Sequence, residues 1–263
     1  MKKILSLSAI CAALIFTSCK RAEVPVNTNC TINQIWADMS NSPTAMFNIV
    51  RTGSLITEYN NTLGHRFVFT YDANNNVIKK EEKVNGITEV YLEYTYNSNN
   101  KITKQKYYSV GNGGYYYSLD IIYDGNQKII QAKGYNEPTH LLESTYNFIW
   151  TNDNITACNI VPAANGPITR IRYTNDAVKE NYCKNLFTNF IAMDLYVGGD
   201  EFALLPLFAN KNSLTSVYEV DAAGNDLGQR ESFNYIFSPT NNSLLKEIRY
   251  GANPYYKFHY DCE

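Results

Sequence analysis

The feature that most constrains the fold is a strand–turn–strand pattern that recurs along most of the chain. In its clearest copy, residues 67–80, the side chains of Phe67, Phe69 and Tyr71 alternate with other residues before an Asp/Asn turn, and a more polar segment follows. Residues two apart in a strand share one face of a sheet, and aromatic side chains favour such half-buried surfaces. The pattern predicts a β-hairpin whose first strand turns an aromatic face to the core.

Comparable triplets of alternating apolar residues recur to the end of the chain. From Tyr71 to Tyr173 their last members are 25, 27, 27 and 23 residues apart. Asn, Asp and Gly follow most triplets, and these residues tolerate the positive φ of hairpin turns. We therefore expect an all-β protein, an antiparallel meander of hairpins that forms a large curled sheet. The triplets are Phe67/Phe69/Tyr71, Leu92/Tyr94/Tyr96, Leu119/Ile121/Tyr123, Tyr146/Phe148/Trp150, Thr169/Ile171/Tyr173, Phe233/Tyr235/Phe237 and Tyr256/Phe258/Tyr260.

Because Tyr71, Tyr96 and Tyr123 share one register, all three are expected to be largely buried.

Residues 182–209 break this pattern. Their apolar residues recur with roughly helical spacing, and Gly198-Gly199 can end a first helix while Asp200 can cap a second. Pro206 would shorten the second helix. We expect a short helical insertion that packs as a lid or plug on the aromatic face of the sheet, filling the core rather than gating a site.

The first residues are typical of an export signal. Lys2 and Lys3 precede an apolar run from Ile4 to Phe16 that is too short to span a bilayer. The following Ser18-Cys19 resembles the lipobox of bacterial lipoproteins, although Phe16 stands where Leu is usual. The resemblance implies cleavage after residue 18 and acylation of Cys19. An ordinary secretory signal without lipid is the alternative.

This reading divides the chain into a signal peptide (1–18), a tether (19–29) and one β-repeat domain (30–263). It implies an exported, outer-membrane-anchored lipoprotein on the periplasmic face or the cell surface, with the membrane as partner through the lipid. Loss of Lys2 and Lys3 lowers the net charge from −2 to −4. Such a mildly acidic chain lacks the basic patch of nucleic-acid binding, so no nucleic-acid partner is expected.

Four cysteines remain after Cys11 and Cys19 are set aside: Cys30, Cys158, Cys183 and Cys262. An even number in an exported chain is compatible with two disulfides, and four cysteines allow three pairings. We favour Cys30–Cys262 with Cys158–Cys183 over the two crossed pairings. A meander whose ends are bonded must curl and cannot be a flat open sheet.

The hairpin pattern resembles a known repeat. Residues 69–77, then Gly86, then Tyr94-Thr95-Tyr96, are similar to the YD repeat of RHS-type proteins, a likeness that covers roughly residues 64–173 and 213–261. Asn75 stands where the repeat has Gly. A closer likeness is to Bacteroidetes-type envelope lipoproteins built of degenerate YD-like hairpins and ending in an aromatic strand plus Cys, here Tyr260-Asp261-Cys262. Their function is largely unknown, so the likeness implies a fold and a location.

Signals for chemistry are weak. Asp72, Asn74 and Asn76 match the first ligand positions of a calcium loop, but Val77 replaces its Gly and Lys83 its final Glu, so a hairpin turn is favoured. The histidines show no metal spacing, and no nucleophile elbow, phosphate loop or dinucleotide fingerprint occurs. We expect no cofactor and no catalysis, with a hydrolase using an unrecognised acid/base pair as the remote alternative.

The 22 tyrosines are the remaining lead. Consecutive tyrosines place rings on both faces of a strand, and a tyrosine has a rigid apolar body with a polar tip. They predict either structural cross-strand ladders or an aromatic platform for a glycan or protein ligand. We therefore expect a non-enzymatic binding or scaffolding role, with a glycan-binding surface module as the alternative. The candidate platform is Tyr107, Tyr108, Tyr115, Tyr116, Tyr117, Tyr255 and Tyr256.

Overall fold

A computed structural model describes residues 30–37, 46–137, 139–181, 205–239 and 244–262. In these ranges the chain forms antiparallel strands in sequence order and one short helix, α1 (Leu205–Ala209). The strands are β1 (Cys30–Ala37), β2 (Phe47–Thr52), β3 (Leu55–Asn60), β4 (His65–Tyr71), β5 (Val77–Val84), β6 (Ile87–Tyr96), β7 (Ile102–Ser109), β8 (Gly114–Tyr123), β9 (Ile129–Asn136), β10 (Leu141–Thr151), β11 (Asn154–Pro162), β12 (Thr169–Glu180), β13 (Asn212–Val220), β14 (Asp226–Phe237), β15 (Leu245–Tyr250) and β16 (Asn253–Cys262).

The sheet closes on itself. Each strand pairs with its neighbours in sequence, and β1 also pairs with β16, so the sixteen described strands make a closed barrel. This corrects the expected curled sheet, because the meander does not merely bend but joins its first strand to its last. Closure is physically favoured because it leaves no unpaired strand edge.

The barrel has two ends, which we call the terminal rim and the far rim. At the terminal rim β1 begins, β16 ends, and the β4–β5, β6–β7, β8–β9 and β10–β11 hairpins turn. At the far rim the β3–β4, β5–β6, β7–β8, β9–β10, β11–β12 and β13–β14 connections lie. Cys30 and Cys262 stand directly opposite each other in the β1–β16 register at the terminal rim.

The aromatic triplets face inward, as predicted. On β4, Phe67 and Phe69 are buried while Arg66 and Thr70 on the other face are exposed. On β10, Tyr146 and Phe148 are buried in the same way. Alternation of period two therefore sorts the strands into an apolar inner face and a polar outer face.

The interior is filled by side chains. Leu119, Ala132, Ile155, Leu214 and Ile248, on five different strands, have 0% exposure. Round barrels of 16 to 18 strands usually leave an aqueous channel. Here the inward side chains exclude water, so the barrel encloses a hydrophobic core.

Cys158 belongs to this core. It lies opposite Phe148 on β10 and Ile171 on β12, and burial raises the pKa of its thiol to about 12. It is a free thiol, whereas a bond to Cys183 was expected. Cys183 lies outside the described residues. The inward register of β11 makes Cys158 a packed core residue.

The third aromatic of most triplets has a distinct role. Tyr71, Tyr96 and Tyr123 were expected to be largely buried but are half-buried. Each hydroxyl donates to a carbonyl near the start of the strand that comes just before its own in the sequence. Tyr96 donates to the Val77 carbonyl (2.7 Å) and Tyr123 to the Ile102 carbonyl (2.8 Å). The equivalent bonds are Tyr71 to Ile56, Trp150 to Ile129, Tyr235 to Leu214 and Tyr260 to Leu245. These bonds tie each hairpin to the one before it.

The predicted hairpin turns are confirmed and share one design. Asp72 accepts the N–H groups of Asn74 and Asn76, each at 2.8 Å, and Asn75 has a φ of 64°. Asn97 and Asp124 accept the N–H groups two and four residues on in the same way. The Asp72 carboxylate therefore organises a turn. The hydrogen bond from the Asn76 side-chain amide (3.0 Å), together with the backbone bonds from Asn76 and Asn74, holds the pKa of Asp72 below the ordinary value.

The expected helical insertion is not seen as such. Within 182–209 the structure describes only α1, a single short helix, and residues 182–204 lie outside the described ranges. Asn210, the residue that follows α1, attaches this part of the chain to the barrel wall. Asn210 has 0% exposure, and its side chain accepts the N–H of Ile155 (2.7 Å) and donates to the Ile155 carbonyl (3.3 Å). It thus occupies the place that an aromatic hydroxyl takes in the other hairpins.

We predict that Tyr96→Phe destabilises the barrel by on the order of 1 kcal/mol, because the Val77 carbonyl loses its partner while the ring stays. Tyr116→Phe is the matched control, since that ring is 52% exposed. Urea unfolding midpoints measure both. Equal midpoints for Tyr96→Phe and the wild type would show that the inter-hairpin bond contributes nothing.

Candidate functional site

Three tyrosines form a row across the outer wall, which we call the tyrosine row: Tyr91 on β6, Tyr108 on β7 and Tyr115 on β8. Tyr91 lies opposite Tyr108, and Tyr108 opposite Tyr115. The Tyr91 and Tyr108 rings stack with centroids 4.5 Å apart and 13° between planes, and Tyr108 meets Tyr115 edge-on at 5.3 Å. The neighbouring Leu92 faces the core, which places Tyr91 on the outer face.

Charged side chains flank the row. The Lys79 ammonium lies 4.3 Å from the Tyr91 ring centroid, and the Lys106 ammonium lies 4.9 Å from that of Tyr115. Between them, Glu93 accepts a hydrogen bond of 2.7 Å from the Tyr115 hydroxyl. Lys79, Glu93 and Lys106 are opposite one another on three adjacent strands, so their charges alternate. Such cross-strand pairs stabilise a sheet by a few tenths of a kcal/mol to about 1 kcal/mol each.

The Glu93 carboxylate helps to keep the Tyr115 phenol in the tyrosine row protonated. The hydrogen bond to Glu93 and burial together raise the pKa of Tyr115 to about 12. Burial is also the largest cause that raises the pKa of Tyr91. Both phenols therefore remain neutral hydrogen-bonding groups at physiological pH.

The structure divides the predicted aromatic platform. Tyr108 and Tyr115 lie in the tyrosine row, whereas Tyr107, Tyr117 and Tyr256 turn inward. Tyr116 is exposed beside Tyr107, with ring centroids 6.2 Å apart. The Tyr255 side chain lies outside the described part of the structure. Between the pairs Tyr107–Tyr117 and Tyr108–Tyr115 the register shifts, so that Tyr116 is an extra residue on β8 and Tyr115 faces outward. Sequence alternation alone could not locate this bulge.

Gly134 shows why Tyr117 can point inward. A Cβ at position 134 would lie 1.6 Å from the Tyr117 hydroxyl oxygen. The missing side chain therefore makes room for the ring.

A second polar group lies beside the row and was not predicted. Glu137 accepts hydrogen bonds from Ser118 (2.8 Å) and shares the same Oε1 atom with His140 Nδ1 (2.9 Å). The His140 ring stacks on Tyr135 at 4.4 Å. Burial opposes ionisation of Glu137, but the bonds from His140 and Ser118 lower its pKa. Since Ser118 bonds Glu137 and not the imidazole, this is not the serine–histidine relay of a hydrolase.

The outer wall thus offers stacked rings rather than an open aromatic platform. The rings of the tyrosine row contact one another and two lysines, and the Tyr115 hydroxyl is bonded to Glu93. Within the described ranges, no group of three His, Cys, Asp or Glu residues could hold a metal ion. In the same ranges, no helix is long and apolar enough to cross a membrane.

The fold defines a class: closed antiparallel barrels with many short hairpins. No protein-family profile and no curated protein sequence matches the chain. A porin-like protein from Bacteroides vulgatus shares the fold with a TM-score of 0.51 at 11% identity, over 88% of this chain and 98% of that one. A porin-like protein from Bacteroides uniformis gives a TM-score of 0.46 at 11% identity, over 88% and 96%. The TcdB2-TccC3-TEV structure gives 0.38 at 9% identity, over 81% of this chain and 10% of that one. These similarities concern the fold alone.

We predict that Glu93→Gln lowers the pKa of Tyr115 from about 12 towards the ordinary value near 10, because the negative acceptor is lost. Glu89→Gln, an exposed glutamate on the same strand, is the control and should leave that pKa unchanged. Titration of isotope-labelled tyrosine by NMR, with Tyr115→Phe to assign the signal, measures it. An unchanged Tyr115 pKa in Glu93→Gln would contradict the assigned hydrogen bond.

Proposed function

We propose that the protein is a non-enzymatic lipoprotein of the cell envelope whose filled barrel acts as a rigid scaffold held at a membrane by Cys19. The observation that carries this proposal is the filled interior, together with the polar outer wall. In the described part of the barrel, inward residues on five strands have 0% exposure, so side chains and not solvent occupy the interior around them. Binding and display must therefore use its outer surface.

The distribution of side chains argues against a conducting role. Transmembrane barrels carry an apolar band outside and polar residues inside. Here the outer wall carries ion pairs such as Lys104–Asp120 (2.8 Å) and Arg172–Asp226 (2.6 Å), and the buried aromatic residues of the triplets face inward. The likeness to porin-like proteins supports an envelope barrel. The distribution of side chains, and not that likeness, argues against a channel.

A disulfide between β1 and β16, which we call the covalent seam, fits the scaffold role. Cys30 and Cys262 are register partners in an antiparallel ladder, where opposite Cα atoms are about 4.5–5.5 Å apart. A disulfide needs Cα atoms about 4.4–6.8 Å apart. We include a Cys30–Cys262 disulfide in the proposal. Such a bond would join the two strands that close the barrel, next to the tether.

The tyrosine row supports the scaffold role more than glycan binding. Sugar rings stack on exposed aromatic faces, and those of Tyr91 and Tyr108 are stacked on each other. In the scaffold role the row is a cross-strand ladder that stiffens the wall.

The anchor is tested with Cys19→Ala. We expect the wild type to partition into detergent and to fractionate with the outer membrane, and Cys19→Ala to lose the lipid and partition into water. The matched control is Cys158→Ala, which removes a buried thiol without touching the signal. Equal partitioning of all three proteins, or channel conductance of the purified wild type in planar bilayers, would contradict the proposed function.

The seam is tested by peptide mapping without reduction. We expect a Cys30–Cys262 peptide, and a lower thermal midpoint for Cys30→Ser, because in the chain-entropy model loops of 100 residues or more are worth about 4–5 kcal/mol. The measurement is repeated under reducing conditions, where the two midpoints should converge. Free thiols at both positions would remove the covalent seam from the proposal.

A further inference from the structure

The far rim carries a set of exposed aliphatic side chains, which we call the aliphatic rim. Six connections at this end each contribute at least one of them. Ile87 is 70% exposed, Leu141 is 65% exposed and Leu227 is 65% exposed. Hairpins that follow one another around a barrel lie about 10 Å apart, since each adds two strand spacings. The full set is Leu63, Ile87, Val110, Leu141, Leu142, Ile168 and Leu227.

Backbone hydrogen bonds hold successive turns of this rim in step. Asn85 donates to the Gly64 carbonyl (2.9 Å), Val110 to Glu89 (2.9 Å) and Glu137 to Tyr116 (3.0 Å). The side chains therefore project from fixed positions along one edge, as a series of separate tips. We therefore treat these side chains as separate tips and not as the lining of a groove.

Most connections of the aliphatic rim carry little charge, although the β13–β14 connection holds Asp221 and is followed by Asp226. The turns 61–64, 85–86 and 110–113 and the connection 163–168 contain no charged residue. Glu137 in the fourth turn is bonded to Ser118 and His140. The terminal rim differs, because its turns hold Asp72, Lys101, Asp124 and Lys128.

The chemistry of the tips favours a lipid surface over a protein partner. Protein interfaces rely on Trp, Tyr and Arg at their centres, and Leu and Val are under-represented there. Isolated aliphatic tips can each enter the boundary between headgroups and acyl chains. Exposed Tyr116 and the tyrosine row lie just behind the tips, and tyrosine is enriched at the depth of lipid headgroups.

The tether is long enough for this arrangement. Ten residues separate Cys19 from Cys30, which spans up to about 33–36 Å when extended. The ten residues of β8 rise about 33 Å along the strand, and less along a barrel axis because strands tilt. A lipid on Cys19 can therefore reach the bilayer that the far rim meets.

We propose that the aliphatic rim docks onto a lipid bilayer, inserting its side chains at the headgroup–acyl boundary and orienting the barrel upright on the membrane. Aliphatic insertion supplies the attraction. Exposed carboxylates near the rim, among them Glu89, Glu143 and Asp226, give anionic lipids no advantage. Isoleucines on the wall near the terminal rim, such as Ile149 at 48% exposure, sit within paired strands and stay in water.

The test uses tryptophan reporters in the lipid-anchored protein, reconstituted into phosphatidylcholine vesicles. Ile87→Trp reports from the aliphatic rim, whereas Val178→Trp (86% exposed) and Ile149→Trp report from the terminal side. The wild-type signal is subtracted as background. We expect blue-shifted emission and quenching by lipids with brominated acyl chains for Ile87→Trp only. Adding Leu63→Ser and Leu141→Ser to Ile87→Trp should abolish that quenching, with an unchanged circular dichroism spectrum.

Two outcomes would overturn the proposal. Equal quenching of all three reporters by brominated lipids would mean that the barrel has no preferred orientation. A reporter at Ile87 that is shielded from aqueous iodide but not quenched by brominated lipid would mean that protein covers the rim. Neither outcome bears on the anchor, which the Cys19→Ala partitioning tests separately.

Discussion

The pairing of β1 with β16 is the interaction on which the rest of the architecture depends. A meander of hairpins ends in two strands with unpaired backbone groups, and these edges favour aggregation. Joining Ile35 on β1 to Phe258 on β16 removes both edges and buries both side chains in the core. Among the described residues β1 pairs with β2 at Gln34 and Ile35, so β16 holds it more extensively than β2 does. A bond between Cys30 and Cys262 would therefore reinforce the pairing that closes the barrel.

A closed sheet of the sixteen described strands has a wide interior, and the repeat fills it with aromatic side chains. The first two members of a triplet fill the interior. The third donates its hydroxyl or indole N–H to the preceding odd-numbered strand, often beside a β-bulge such as that between Thr95 and Tyr96. A bulge bends a strand and re-aims its side chain. One residue type thus supplies both the core and the bonds between hairpins.

Much of this could be predicted from the sequence because it depends on short-range patterns. Alternation located the inward face, as Phe67 and Phe69 show, and Asp72 or Asn97 marked the turns. Closure could not be predicted in this way, because pairing between the first and last described strands, such as Cys30 with Cys262, leaves no local signal. The bulge that leaves Tyr116 without a register partner likewise turned Tyr115 to the outer face beside Tyr108. Tyr91 and Tyr135 were missed because neither has a tyrosine next to it in the sequence.

The replacement of an aromatic hydroxyl by Asn210 shows how the repeat accommodates a departure. At β11 the Ile155 N–H and carbonyl are buried, and an unpaired buried backbone group costs about 1–3 kcal/mol. β12 pairs with β11 only as far as Ala157, so the backbone of β12 does not reach Ile155 on that side. The Asn210 amide offers both a donor and an acceptor, which is what one peptide group of a neighbouring strand would offer. The insertion between β12 and β13 can thus interrupt the meander without opening the wall, because a side chain completes the ladder that the backbone leaves unfinished.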